Sequence, residues 1–219
     1  MPSPSLTEPP LILTAFLLAV AVAALVWSEV RAFRLGVWTA KPVASTLFVG
    51  AALVAGALGS GYGRLVLLAL VLSWLGDVLL IPTRQVFFVT GLGSFLLAHL
   101  AFGGAFLLQP REPLPLALAA VGMAVFGAGV LRWLWPYLTP KLRPAVAAYV
   151  VAISLMVALC WGAVSTLGVS VAIAAIAFAV SDVLVARHRF VAAGALNKVL
   201  GLPLYYAAQW VFAWSALGR

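Results

Sequence analysis

Acid is scarce in this sequence: five Asp and Glu in 219 residues against thirteen Lys and Arg, with charged residues only 8% of the chain and hydrophobic ones 65%. A soluble domain carries roughly 25% charged residues, so a chain this apolar is excluded from that class. A single cysteine, Cys160, rules out an intrachain disulfide and a cysteine-based zinc site. Two distant histidines and two helix-borne aspartates lack the spacing of a zinc site, so no metal is assigned, although an Asp-Asp-His grouping in space stays open. There is no Walker loop, nucleophile elbow or dinucleotide fingerprint, and no organic cofactor is expected. The excess of positive charge does not point to nucleic acid, because Lys and Arg are spread through short connections between apolar runs, as membrane-flanking charges are.

What is present is a series of apolar runs at 11–27, 42–60, 64–81, 86–108, 114–131, 144–161, 164–186 and 197–217. At ~1.5 Å rise per residue each can cross a hydrocarbon core of ~30 Å. Backbone groups there must be satisfied by helix or closed barrel, and sustained runs without dyad alternation exclude the barrel. The expectation is an all-α integral membrane protein of eight transmembrane helices, a single transmembrane domain over 1–219. Its first segment reads as a retained helix rather than a signal peptide, for it lacks a basic leader and a cleavage pattern. Eight crossings put both termini on one side, and ten of the thirteen basic residues then fall on the other, with only Arg64, Arg111 and Arg219 beside the termini. The positive-inside rule makes the ten-residue side cytoplasmic and the termini external in a multi-pass cell-membrane protein.

Features recur between the two halves. Lys41-Pro42 returns as Arg143-Pro144, 102 residues on, and Gly76-Asp77-Val78-Leu79 as Ser181-Asp182-Val183-Leu184, 105 residues on. Four helices per half make this a parallel repeat, 11–108 and 114–217, related by an axis along the membrane normal; coincidence among apolar helices is the alternative.

Of the acids, Glu8, Glu29 and Glu112 fall in tails or loops, which leaves Asp77 and Asp182 inside helices near their cytoplasmic ends. A carboxylate in a membrane helix costs a few kcal/mol, so such residues turn inward and mark function; the alternative is pairing with Arg84 and Arg187 nearby. Lys41, opening the second helix, with Tyr149, Asn197 and Tyr205, lies at a similar depth, and His99 and Gln209 sit nearer the midplane. For His99 and Gln209 a helix–helix hydrogen bond is the alternative role, and for Lys41 and Tyr149 an interface anchor. Ser60, in Gly59-Ser60-Gly61, reads as a turn.

These residues give the chain a family resemblance. Lys41-Pro42, Ser73-Trp74-Leu75-Gly76-Asp77-Val78-Leu79-Leu80, Phe88 to Gly91 leading to Ser94-Phe95-Leu96-Leu97-Ala98-His99, Tyr149, Phe178-Ala179-Val180-Ser181-Asp182 and Tyr205 to Gln209 together resemble the YhhN-like lysoplasmalogenases. The resemblance implies an eight-helix hydrolase that cleaves the vinyl ether of a lysoplasmalogen to a fatty aldehyde and a glycerophospho-alcohol, with Asp77 and Asp182 as its catalytic pair. The chemistry suits two carboxyl groups: one, neutral, protonates the β-carbon, and the other, ionised, stabilises the oxocarbenium ion and orients water. Lys41 and Arg143 would hold the phosphate of the lysophospholipid, and membrane lipids would surround it. The second reading, from the residues alone, is a proton- or cation-coupled small-molecule carrier, which parallel repeats and membrane carboxylates equally suit.

Overall fold

Apolar runs fold as helices because each helix satisfies its own backbone amides. The computed structural model describes residues 9–217, in which the long elements are α1 Pro9–Val30, α2 Arg34–Val54, α3 Gly61–Leu79, α4 Gln85–Leu107, α5 Pro113–Leu134, α6 Arg143–Gly162, α8 Val169–Ala186 and α9 Ala195–Trp214, with the single turn α7 Val164–Leu167 before α8. Glu8 and Arg219, and with them the sidedness of the chain ends, lie outside the described residues. Proline begins α5 and α6, where its missing N–H is no loss. Ser60 caps α3, its Oγ accepting from the Gly63 amide at 3.0 Å. A Cβ on Gly63 would run into the Ala57 backbone, so glycine lets the preceding 3-10 turn lie against the helix start.

Two expectations change. The second helix opens at Arg34, not at Lys41-Pro42, so Lys41 stands about two turns inside α2. Pro42 deprives the Trp38 carbonyl of its helical donor, a loss that transmembrane helices tolerate. Likewise Glu29 belongs to the last turn of α1 rather than to a loop.

Seven helices, α1 to α6 and the one that begins at Val169, are long and apolar enough to cross a membrane, as a multi-pass membrane protein requires. The eighth long helix, α9, falls short in apolarity because it carries Asn197, Lys198, Tyr205, Tyr206 and Gln209. It packs on α8, α1 and α2. In contrast α5 leans chiefly on α6 and turns Leu114, Leu118, Val121 and Val125 outward. An apolar face of that extent suits lipid rather than water. The other long helices in contact are α1 with α2, α2 with α3, α3 with α4, α4 with α6, α6 with α8 and, more slightly, α3 with α9. Aromatic rings fill the interior between α4, α8 and α9, with Phe102 against Phe212 at 4.6 Å and Phe178 against Tyr205 at 5.4 Å between centroids.

Candidate active site

Asp77 stands in the last turn of α3, and Gly76 beside it makes room for α4: a Cβ there would sit 2.6 Å from the Phe95 ring. The carboxylate is buried, with two hydroxyls on one oxygen and a cation near the other. Its Oδ2 accepts from the Ser45 hydroxyl at 2.6 Å and the Tyr205 hydroxyl at 2.8 Å, and Lys41 Nζ lies 3.7 Å from Oδ1. Tyr206 supports Ser45 from behind, its hydroxyl 3.2 Å from Ser45 Oγ. These partners come from α2 and α9, so three helices converge on one carboxylate.

Asp182, on α8, is placed by α6 and α4. The Tyr149 hydroxyl donates to its Oδ2 at 2.7 Å, and His99 Nε2 lies 3.4 Å from the same oxygen. His99 is fully buried, with Nδ1 2.7 Å from the Phe95 carbonyl, its ring 4.6 Å from Phe178 and 5.1 Å from Tyr149 between centroids. The Asp182 side chain is 18% exposed against 4% for Asp77, and this decides which of them offers more surface to an entering molecule.

Both aspartates line one cavity of about 360 Å³, together with Lys41, Tyr149, Asn197 and Tyr205. Its walls are otherwise mostly apolar, among them Phe88, Leu92, Phe95, Phe126, Val130 and Ile153, in the size and character of a small-molecule site. Three expected site residues lie off this lining. His99 backs Asp182; Gln209 is fully buried a turn beyond Tyr205 with no well-formed hydrogen bond to its amide; and Arg143 lies over the Trp135 ring, 4.9 Å from its centroid. Asn197 braces the chain before α9, accepting from Arg187 at 2.9 Å and donating to the Ala192 carbonyl at 2.9 Å. Arg187 therefore pairs with Asn197, and Lys41 is the cation beside Asp77.

The cavity also recruits residues outside the expected set. Ser45 and Tyr206 complete the Asp77 cluster, and Glu29, Arg189 and Lys198 add charge to the lining, with His188 beside them. Glu29 and Lys198 pair with one another across α1 and α9, and the Arg189 guanidinium lies 4.5 Å from the Phe88 ring centroid. Ser45 had a signal in the sequence, standing one turn after Lys41 and so on the same face of a helix. Among the described residues no three His, Cys, Asp or Glu converge as metal ligands would.

The sequence model of the YhhN family matches residues 36–216. A protein of Mycobacterium tuberculosis named lysoplasmalogenase is 41% identical over 145 residues, covering 64% of this chain and 54% of the relative. The human protein named lysoplasmalogenase TMEM86A is 29% identical over 202 residues, 87% of this chain and 73% of its own length. Human lysoplasmalogenase TMEM86B is 32% identical over 157 residues, 72% and 65%. The chain thus spans about half the length of the mycobacterial relatives it matches. No solved structure matches it.

Proposed function

The chain belongs to the YhhN family, with 36–216 inside the match, and from that premise we propose that it is a membrane-embedded hydrolase opening the vinyl ether of a lysoplasmalogen to a fatty aldehyde and a glycerophospho-alcohol. The observation that carries this reading is the meeting of Asp77 and Asp182, 105 residues apart in sequence, on a single cavity whose walls are otherwise mostly apolar. Two carboxyl groups at one site can divide acid and base work between them. Protonation of the β-carbon uses the alkene π pair to form a C–H bond and leaves an oxocarbenium ion. Water adds to that carbon with loss of a proton, and the hemiacetal then parts into aldehyde and alcohol. The site supplies a proton donor, an anion to offset the cation, and walls that suit a single hydrocarbon chain. Among the lining residues Arg189 is the cation best placed to take the phosphate, since Lys41 is engaged by Asp77 and Lys198 by Glu29.

The proposed architecture is eight crossings built as four plus four, α9 being the eighth despite its polar face. Helix neighbours support a repeat: α4 packs on α6 and α9 on α2, as a twofold relation of α1–α4 to α5, α6, α8 and α9 demands. So do the site partners. Each aspartate takes a hydroxyl from the second helix of its own half, Ser45 or Tyr149, and a group from the last helix of the other half, Tyr205 or His99. The charge asymmetry favours a cavity on the cytoplasmic side with both termini outside. Labels applied from the cytoplasm should then reach engineered cysteines at 31–33 and 139–142; labelling only from outside would reverse the orientation.

The test of function is aldehyde release by the purified protein offered alkenyl- and acyl-lysophospholipids side by side. Release from the alkenyl lipid supports the proposal. Absence of hydrolysis together with solute flux into proteoliposomes would make the chain a carrier whose aspartates bind a cation or proton.

A further inference from the structure

The two aspartates meet different company. Asp77 has two hydroxyl donors on Oδ2 and an ammonium beside Oδ1, the surroundings of an anion. Asp182 has one hydroxyl donor, and among the described residues no Lys or Arg stands within 4.0 Å of it. It faces His99 instead. The Phe95 carbonyl 2.7 Å from Nδ1 can only accept, so Nδ1 carries a proton and a neutral imidazole presents the bare lone pair of Nε2. That lone pair, buried and without a hydrogen bond of its own, lies 3.4 Å from Asp182 Oδ2. Two acceptors facing one another away from water is a costly arrangement. One proton between them removes the conflict, and Oδ2 can still accept from Tyr149 while its own O–H points at Nε2.

We propose that the catalytic proton is held by an Asp182–His99 pair, with Asp182 the group that transfers it to substrate, His99 a positioning residue acting through Asp182, and Asp77 a permanently anionic positioning residue. The catalytic consequence rests on the hydrolase reading above; the location of the proton does not. In the reaction, Asp182 gives its proton to the β-carbon as the π pair forms the new C–H bond, and becomes a carboxylate. Fixed Asp77 offsets the oxocarbenium charge across the cavity. Water adds to the cationic carbon and its proton returns to the pair, at Asp182 or His99 Nε2. The hemiacetal hydroxyl proton then leaves as the C–O bond breaks, and the departing glycerol oxygen takes one up. The sum is ether plus water to aldehyde plus alcohol, with the pair restored. Phe178 and Tyr149 wall the imidazole off, so His99 reaches the cavity only through Asp182. The titratable groups facing the pair are Tyr149 from α6 and, across the cavity, Asp77 from α3 with its partners Lys41 and Tyr205.

The experiment combines infrared spectroscopy of the carboxyl groups with nitrogen NMR of isotope-labelled histidine on the full chain in lipid nanodiscs, His99 being the signal lost in His99→Gln. At neutral pH the wild type should show either a carboxylic acid that persists in Asp77→Asn and vanishes in Asp182→Asn, or a doubly protonated His99 that becomes neutral in Asp182→Asn. A carboxylic acid that disappears in Asp77→Asn alone, or a neutral His99 with both carboxyls ionised, overturns the proposal. Should Asp182→Asn fail to fold, His99→Gln decides: an acid band of the wild type must shift because its acceptor has changed, or, where His99 was doubly protonated, a new acid band must appear as the proton passes to Asp182, and a carboxyl spectrum left unmoved overturns the assignment. In turnover, His99→Gln should lower kcat about 100-fold, as misplacement of the group that delivers the proton does. KM should move less than about threefold, and the pH profile should lose the limb belonging to the pair. A wild-type kcat and pH profile in that variant would refute the relay. A wild type that releases no aldehyde counts against the hydrolase reading, while the spectra still decide where the proton resides.

Discussion

Asp77 and Asp182 occupy corresponding places near the ends of α3 and α8, yet one is surrounded by Lys41, Ser45 and Tyr205 and the other by Tyr149 and His99. The difference is in charge and in exposure. In the proposed division, a cation and two donors favour Asp77 as the anion, whereas a single donor and an imidazole leave Asp182 to hold the proton. Two aspartates near the ends of two helices can therefore meet at one cavity and still be suited to different work, since a carboxyl's environment governs its proton as much as the residue type does.

The largest effect that would test this division is on turnover. Asp182→Asn keeps shape and removes the transferable proton, so aldehyde release should fall about 10³-fold or more, while Asp77→Asn, which leaves the proton in place, should cost about 10²-fold. Equal losses, with a double variant no worse than either single one, would make the two carboxyls one symmetric unit and erase the distinction. Next comes stability. Lys41→Met strands a buried carboxylate, which should cost about 3–5 kcal/mol in a reversible unfolding assay. Adding Asp77→Asn should restore most of that loss; if it does not, the 3.7 Å ion pair is not what holds Lys41 in place.

Much of this could be read from the sequence. Apolar runs of spanning length give helices with little ambiguity, and aspartates within such runs must turn inward, so the helices and the place of the two acids were legible, while among the described residues only seven of the eight expected spans are long and apolar enough to cross. What sequence could not supply was the path of individual side chains. Lys41-Pro42 and Arg143-Pro144 look alike, but α6 begins at Arg143 whereas α2 begins at Arg34. A one-helix dipeptide signal cannot tell a helix start from an interior proline tolerated in a membrane bundle. From those different places Lys41 reaches Asp77, and Arg143 lies on Trp135 away from the cavity. Glu29 was hidden by the same shift of boundary, and its partner Lys198 by the polar character of α9. The pairing of His99 with Asp182 joins α4 to α8, a contact on which no periodicity reports.

The smallest expected difference is the most selective, because it compares one hydroxyl at each aspartate. Tyr149→Phe removes the hydroxyl donor that Asp182 has among the described residues, leaving the carboxyl to His99, so its geometry toward substrate loosens and kcat should fall about tenfold or more. Tyr205→Phe removes one of two hydroxyl donors to Asp77, but Ser45 at 2.6 Å and Lys41 remain. A hydrogen bond to a charged group contributes about 1.5–3 kcal/mol, and retention of the other partners keeps the loss near the lower end of that range. That loss should appear in unfolding, while kcat changes only about twofold because the anion stays where it is. Aldehyde-release kinetics and denaturant unfolding of the two Phe variants, run side by side, measure both quantities. If Tyr205→Phe impairs turnover as severely as Tyr149→Phe, Asp77 is not a fixed anion but a partner in proton transfer, and the asymmetry between the two halves of the site is gone.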